Sequence, residues 1–101
     1  MLTVLKSKIR ELRVNVCNKD SEDNITIPWG IMHRANIYPY ERVEVNSKFG
    51  KGRIVTYAIP GDRVELNGGA ANHFKKGDIV HVNCFKTITE SLAHVHKPII
   101  V

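Results

Sequence analysis

In the stretch GKGRIVTYAI, Arg53, Thr56 and Tyr57 fall within one short run and the turn that leads into it. An arginine offers a planar fork of donors that matches a carboxylate. A threonine hydroxyl can donate a hydrogen bond, and a tyrosine phenol can deliver a proton to a reacting centre. Adjacent residues of an ideal strand face opposite ways, so Thr56 and Tyr57 serve one pocket only at a strand end or at a seam between subunits. A second stretch, ELNGGAAN, runs Asn67-Gly68-Gly69-Ala70-Ala71. It reads as a tight turn into a short helix of small residues whose first N–H groups would face an anion. A hairpin strand followed by an ordinary turn gives the same residues, and spacing alone leaves both open.

Other reactive side chains are less well placed. His94 and His96 form an HVH pair that would share one face of a strand, but His33, His73 and His81 supply no third ligand by spacing. A metal site is therefore not expected. Ser7, Ser21, Ser47 and Ser91 lie in no nucleophile-elbow pattern. Cys17 is followed by Asn18-Lys19, where an ammonium could lower a thiol pKa, although packing at a strand end explains it equally well. Cys17 and Cys84 are the only cysteines, too few for a disulfide framework, and suit a reduced, cytoplasmic protein.

The chain has 101 residues with 15 Lys+Arg against 10 Asp+Glu, a formal charge of +5. Basic surface can bind nucleic acid. Here the cations are dispersed: Lys6, Lys8, Arg10 and Arg13, then Lys48, Lys51 and Arg53, then Lys75 and Lys76. No basic run reaches four, so one or two cations holding a small anion is the better expectation. No stretch reaches the roughly 20 apolar residues of a membrane span, and no signal-peptide core is expected at the start.

These residues need strands to position them. Residues 2–5 and 12–16 read as short strands bounded by charge. Period-two alternation predicts others over 24–27, 42–45, 53–59 and 63–66. Residues 78–85 follow the same pattern with Ile79, Val82 and Phe85 partly in phase, and 97–101 reads as a closing edge strand because of Pro98. Turns are expected at 50–52, 60–62 and 76–78, and short helices at 28–36, 68–72 and 89–95. This pattern predicts one mainly β domain over 1–101, a small closed or nearly closed barrel with helices between strands rather than an up-and-down barrel.

Taken together, MLTVLKSKIRELRV, EDNITI, RIVTYAI, NGGAA, KKGDIVHV and the His-Lys-Pro close resemble the pyruvoyl-dependent aspartate 1-decarboxylases over nearly the whole chain. R-x-x-T-Y and N-G-x-A-A at compatible spacing are the most specific part. The resemblance implies a double-psi β-barrel and a homotetramer with active sites between subunits. It also implies synthesis of β-alanine, a pantothenate precursor, from L-aspartate. Arg53 would hold the substrate's side-chain carboxylate, Thr56 would assist chain self-cleavage, and Tyr57 would protonate the carbanion. Asn67 with the backbone of Gly68, Gly69 and Ala70 would line the pocket, and Lys8 would lie beside the reactive centre.

The departures gather at that centre. The family cuts its chain between a glycine and a serine, and the serine becomes the pyruvoyl group. Aligning EDNITI with that pattern puts Asp23 at the glycine and Asn24 at the serine; Ser21 and Arg10 replace the pattern's tyrosine and histidine. Asparagine has no hydroxyl with which to start the cut. The expectation is an uncut chain with no pyruvoyl cofactor, in one of three roles. It could run acid–base chemistry on a small carboxylated or carbonyl ligand (cyclisation, dehydration or isomerisation), with Tyr57 as acid and Asp23, Lys8 or Asn24 orienting. It could be a non-catalytic or regulatory homologue, or an aspartate 1-decarboxylase in unprocessed form.

Overall fold

The structure, a computed structural model, describes residues 1–50 and 52–101. Lys51, one of the dispersed cations and part of the expected turn at 50–52, lies outside the described residues. The described residues form eight strands: β1 (Leu2–Arg13), β2 (Val16–Asn18), β3 (Asn24–Pro28), β4 (Arg42–Ser47), β5 (Arg53–Gly61), β6 (Glu65–Asn67), β7 (Ile79–Ile88) and β8 (Ile99–Ile100). One α-helix, α1 (Trp29–Arg34), follows β3, and 3-10 turns occupy Gly68–Asn72 and Glu90–Leu92.

The strand order is β2-β6-β3-β5-β4-β7-β1-β8. β1 lies next to one end of this order, with only the short β8 beyond it, and β2 lies at the other end, yet only Val14 and Asn15 separate β1 from β2 in the chain. The sheet must therefore curl until its ends meet, and it does so as a small β-barrel. Val14 donates to the Asp78 carbonyl at 2.8 Å and Asn15 to the Val64 carbonyl at 2.9 Å, which secures the closure. Neighbouring pairs β3–β5, β2–β6 and β1–β8 are parallel, an arrangement an up-and-down barrel cannot have. Inward residues fill the interior: Ile9, Ile25, Ile27, Val43, Val45, Leu66, Val80 and Val82 are almost fully buried. Each such side chain contributes about 2 kcal/mol of apolar burial.

Several boundaries differ from the sequence reading, each for a local reason. The expected strands at 2–5 and 12–16 become one strand and the start of another. Lys6, Ser7, Lys8 and Ile9 keep the period-two alternation, with Ser7 and Ile9 inward, so the lysines do not end the strand. Register irregularities between Leu5 and Ser7 and between Ile9 and Leu12 let this long strand bend round the barrel. Glu11 sits at the second one with φ 57°. In β7 the inward set is Val80, Val82 and Cys84, so Ile79 and Phe85 face outward. The expected turn at 60–62 is shifted: Pro60 and Gly61 remain in β5, paired in parallel with Ile27 and Pro28. Strand β6 begins at Glu65 rather than 63. His94 lies in a turn rather than on a strand, while His96 bonds through Nε2 to the Leu5 carbonyl oxygen at 2.7 Å. Strand β8 is short and sits at the sheet edge, as Pro98 suggested. Among the described residues no helix is long and apolar enough to cross a membrane.

Candidate functional site

The parallel register of β3 and β5 pairs Ile25 with Ala58. Carried two residues back, the same offset brings Asp23 towards Thr56. Antiparallel pairing of β3 with β6 sets Asn24 directly opposite Asn67. The loop before β3, the middle of β5 and the turn after β6 therefore converge on one spot.

Asn24 and Asn67 are both buried there. The Asn67 amide donates through Nδ2 to Asn24 Oδ1 at 2.8 Å and more weakly to Thr26 Oγ1 at 3.4 Å. Asn24 in turn donates through Nδ2 to the Glu22 carbonyl at 3.2 Å. Both ends of the Asn24 amide are thus engaged in holding the 22–24 turn against β6. Asn67 Oδ1 and Thr56 Oγ1, in contrast, are buried without a hydrogen-bond partner among the described residues. A buried polar atom left unpaired costs about 1–3 kcal/mol, so each is a place where a ligand's polar group would be welcome.

The turn Gly68–Asn72 forms as expected, but its first free N–H does not wait for an external anion. Gly69 donates it to the Asp23 carboxylate in a short hydrogen bond. The chain's own carboxylate therefore takes the place that one of the two sequence readings gave to an anion. Gly68 makes this approach possible. Its φ is +72°, and a Cβ there would stand 2.7 Å from the Asp23 nitrogen and 2.8 Å from the Ser21 carbonyl oxygen. Both the backbone angle and the space call for glycine.

Asp23, Thr56, Gly69, Ala70 and His73, with Ile54, line a pocket of 310 Å³. His73, weighed in the sequence only as a metal ligand, was not placed at this site by the sequence reading. Its only available signal was a position six residues after Asn67, at the end of the small-residue turn.

Arg53 and Lys8 lie elsewhere. Along β5 the exposed positions Arg53 and Val55 alternate with buried Thr56 and Ala58, so Arg53 is on the face opposite Thr56. Arg53 Nε donates to Asn46 Oδ1 at 2.9 Å and stands 3.8 Å from Glu44 Oε1. Lys8, Glu44, Asn46, His81 and Asn83 share with it a wide, polar groove of 740 Å³ across β1, β7, β4 and β5. Tyr57 belongs to neither pocket; it is half-buried and stacks on Tyr40 with centroids 5.7 Å apart. One chain brings Asp23, Asn24, Thr56, Asn67, Gly68, Gly69 and Ala70 together but leaves Arg53 with Lys8 on another face.

The thiols offer little nucleophilic character. Burial, with the Glu41 carboxylate nearby, pushes Cys84 up to about 12. Burial and then Asp78 also raise Cys17, outweighing the Lys19 ammonium that the sequence suggested would lower it. Cys17 Sγ lies 3.3 Å from the Phe74 carbonyl oxygen.

A family model described as aspartate decarboxylase matches residues 1–101. Among curated relatives, the aspartate 1-decarboxylase of Clostridium kluyveri is 36% identical over 104 residues, covering 99% of this chain and 82% of the relative. That of Coprothermobacter proteolyticus is 42% identical over 89 residues, covering 84% and 74%. That of Listeria monocytogenes is 33% identical over 103 residues, covering 98% and 81%.

Proposed function

The chain belongs to the aspartate decarboxylase family, and from that premise we propose that it works as an uncut chain, without a pyruvoyl group. In this reading it carries out proton-transfer chemistry on a small carboxylated or carbonyl substrate. The observation that carries the reading is Asn24. Its side chain has no hydroxyl to attack the preceding carbonyl, and both ends of its amide are tied to Asn67 and Glu22. The sequence contains no Gly-Ser dipeptide anywhere. The residues present therefore do not fit a serine-derived pyruvoyl, and no step runs through one.

Releasing carbon dioxide from an amino acid needs a sink for the electron pair left on carbon, which cofactors supply and side chains rarely replace. Cyclisation, dehydration and isomerisation need only placed acids, bases and dipoles. Arg53 binds the substrate carboxylate through its guanidinium fork, Lys8 adds a second positive charge, and Tyr57 donates a proton. Asp23 acts as base beside Thr56, while Asn24, Asn67 and the Gly68–Ala70 backbone shape the wall.

Arg53 and Thr56 lie on opposite faces of β5, so a complete site forms where the Arg53 face of one copy meets the Asp23 pocket of another. A homotetramer, the state the family resemblance implies, supplies that seam. We place this single domain in the cytoplasm, with both cysteines reduced; among the described residues both are free.

Reductive trapping tests the reading. Aspartate plus borohydride should leave no covalent adduct on the protein, because no ketone is present to form a Schiff base. An adduct would overturn it. A panel of dicarboxylates and keto acids should then include one whose binding weakens at least tenfold in Arg53→Ala.

A further inference from the structure

The pocket between the 22–24 turn, β5 and the Gly68–Asn72 turn holds two ionisable groups that the family pattern does not assign, and an unpartnered hydroxyl at its floor. Asp23 stands where the pattern has a glycine. Its Oδ1 is fixed by the Gly69 N–H. His73 lines the same 310 Å³ space and is held by its own N–H, which donates to the Ala70 carbonyl at 3.2 Å. Thr56 Oγ1 is buried, lines the pocket and has no hydrogen-bond partner among the described residues. With no self-cleavage to assist, that hydroxyl is free to serve a ligand.

We propose that Asp23, His73 and Thr56 form a proton-transfer site for small compounds with a hydrogen on the carbon beside a carbonyl. This deepens the proposed function and rests on it, naming His73 as a further catalytic residue. The Asp23 carboxylate takes the proton from that carbon. The C–H electron pair becomes the carbon–carbon double bond of an enol, and the carbonyl π pair moves to oxygen. Thr56 donates a hydrogen bond to that oxygen as charge builds on it. Protonated His73 then delivers a proton to the same oxygen. Reversal returns a proton from the Asp23 carboxyl to carbon, so the cycle needs no oxidant, reductant or co-reactant. Ile54 and Ala70 provide the apolar wall that keeps the developing charge close to these donors.

The experiment follows hydrogen–deuterium exchange by proton NMR in D2O, with the full chain and two probes, pyruvate and 1,3-dihydroxyacetone. Wild-type protein should speed exchange at the carbon beside the carbonyl for at least one probe, at least tenfold over protein-free buffer. Rate enhancement for pyruvate alone marks a carboxylated substrate, and for dihydroxyacetone a neutral one. Asp23→Asn keeps an oxygen for the Gly69 N–H and should remove the enhancement. His73→Gln should cut it at least tenfold, while Thr56→Val slows it without unfolding the chain. The His73 C2–H resonance, assigned by its loss in His73→Gln, should shift with probe concentration. No enhancement with either probe, or enhancement unchanged in Asp23→Asn, overturns the inference. The mass of the same sample judges the parent reading separately, so an intact chain without exchange removes only this inference.

Discussion

The two faces of β5 teach different lessons. On the inward face, Thr56 sits among side chains that are locked in place: Asn24, Asn67 and Asp23 each bond to a neighbouring strand or turn. On the outward face, the Arg53 side chain is 68% exposed, touched by Asn46 and Glu44 across an open groove. The inward cluster is preorganised by the fold of one chain, whereas the outward cluster is left open to solvent. Catalytic geometry is best held by rigid elements, and charged groups awaiting a partner or ligand cost little when left in water.

The sharpest contrast lies between two glycines. Gly68→Ala must place a Cβ against the Asp23 and Ser21 backbone at φ +72°, and should cost on the order of 3 kcal/mol. Gly50→Ala also has positive φ, +78°, but meets nothing within 4 Å, and should cost about 1 kcal/mol. Denaturant midpoints compare the two directly. Equal losses would mean that the 21–24 turn does not pack on the small-residue turn as described.

Much of this arrangement was legible in advance. Alternation in RVEV and RIVTYAI located β4 and the start of β5, and small residues in NGGAAN located the turn. The opposition of Thr56 and Tyr57 followed from strand geometry alone. Other features needed tertiary contacts. Pro60-Gly61 looks like a turn in any local window, yet parallel pairing with β3 keeps it extended. The lysines at 6 and 8 looked like strand boundaries, but their stems let β1 continue. Lys6 reaches Glu41 at 2.8 Å, a contact 35 residues away that no spacing rule finds. The Asp23 carboxylate on Gly69 was equally invisible, because a free helix-like N–H and an occupied one have the same sequence. His73 entered the pocket only through the path of the turn.

Asn24→Ala should destabilise by about 2 kcal/mol, since it strips the buried Asn67 amide of its best acceptor. Arg53→Ala, on the outward face, should change stability by less than about 0.5 kcal/mol while weakening carboxylate binding. Thermal or urea unfolding of the pair sets the inward brace against the outward ligand arm. The thiols divide similarly. With its pKa at about 12 and the side chain buried, Cys84 should react with a disulfide reagent at pH 8 only after unfolding. Cys17, half-buried, should react first. Simultaneous reaction would show that the interior opens as one unit.

A pH-dependent effect concerns Lys6 and Glu41. Burial raises the Glu41 carboxyl, but the Lys6 hydrogen bond, the Tyr38 N–H and the Lys6 charge together hold it below its ordinary 4.5. A depressed folded value contributes stability above the ordinary value and loses it as pH falls through the folded one. Lys6→Met should therefore cost about 1 kcal/mol at pH 7 and flatten the fall in stability below pH 4.5.

The central claim is that this barrel stays whole because Asn24 replaces the residue that would cut it. Intact mass of the purified, denatured protein tests that most directly. A single species at the 11.4 kDa of the full sequence is the predicted result. Two fragments dividing between Asp23 and Asn24 would contradict it.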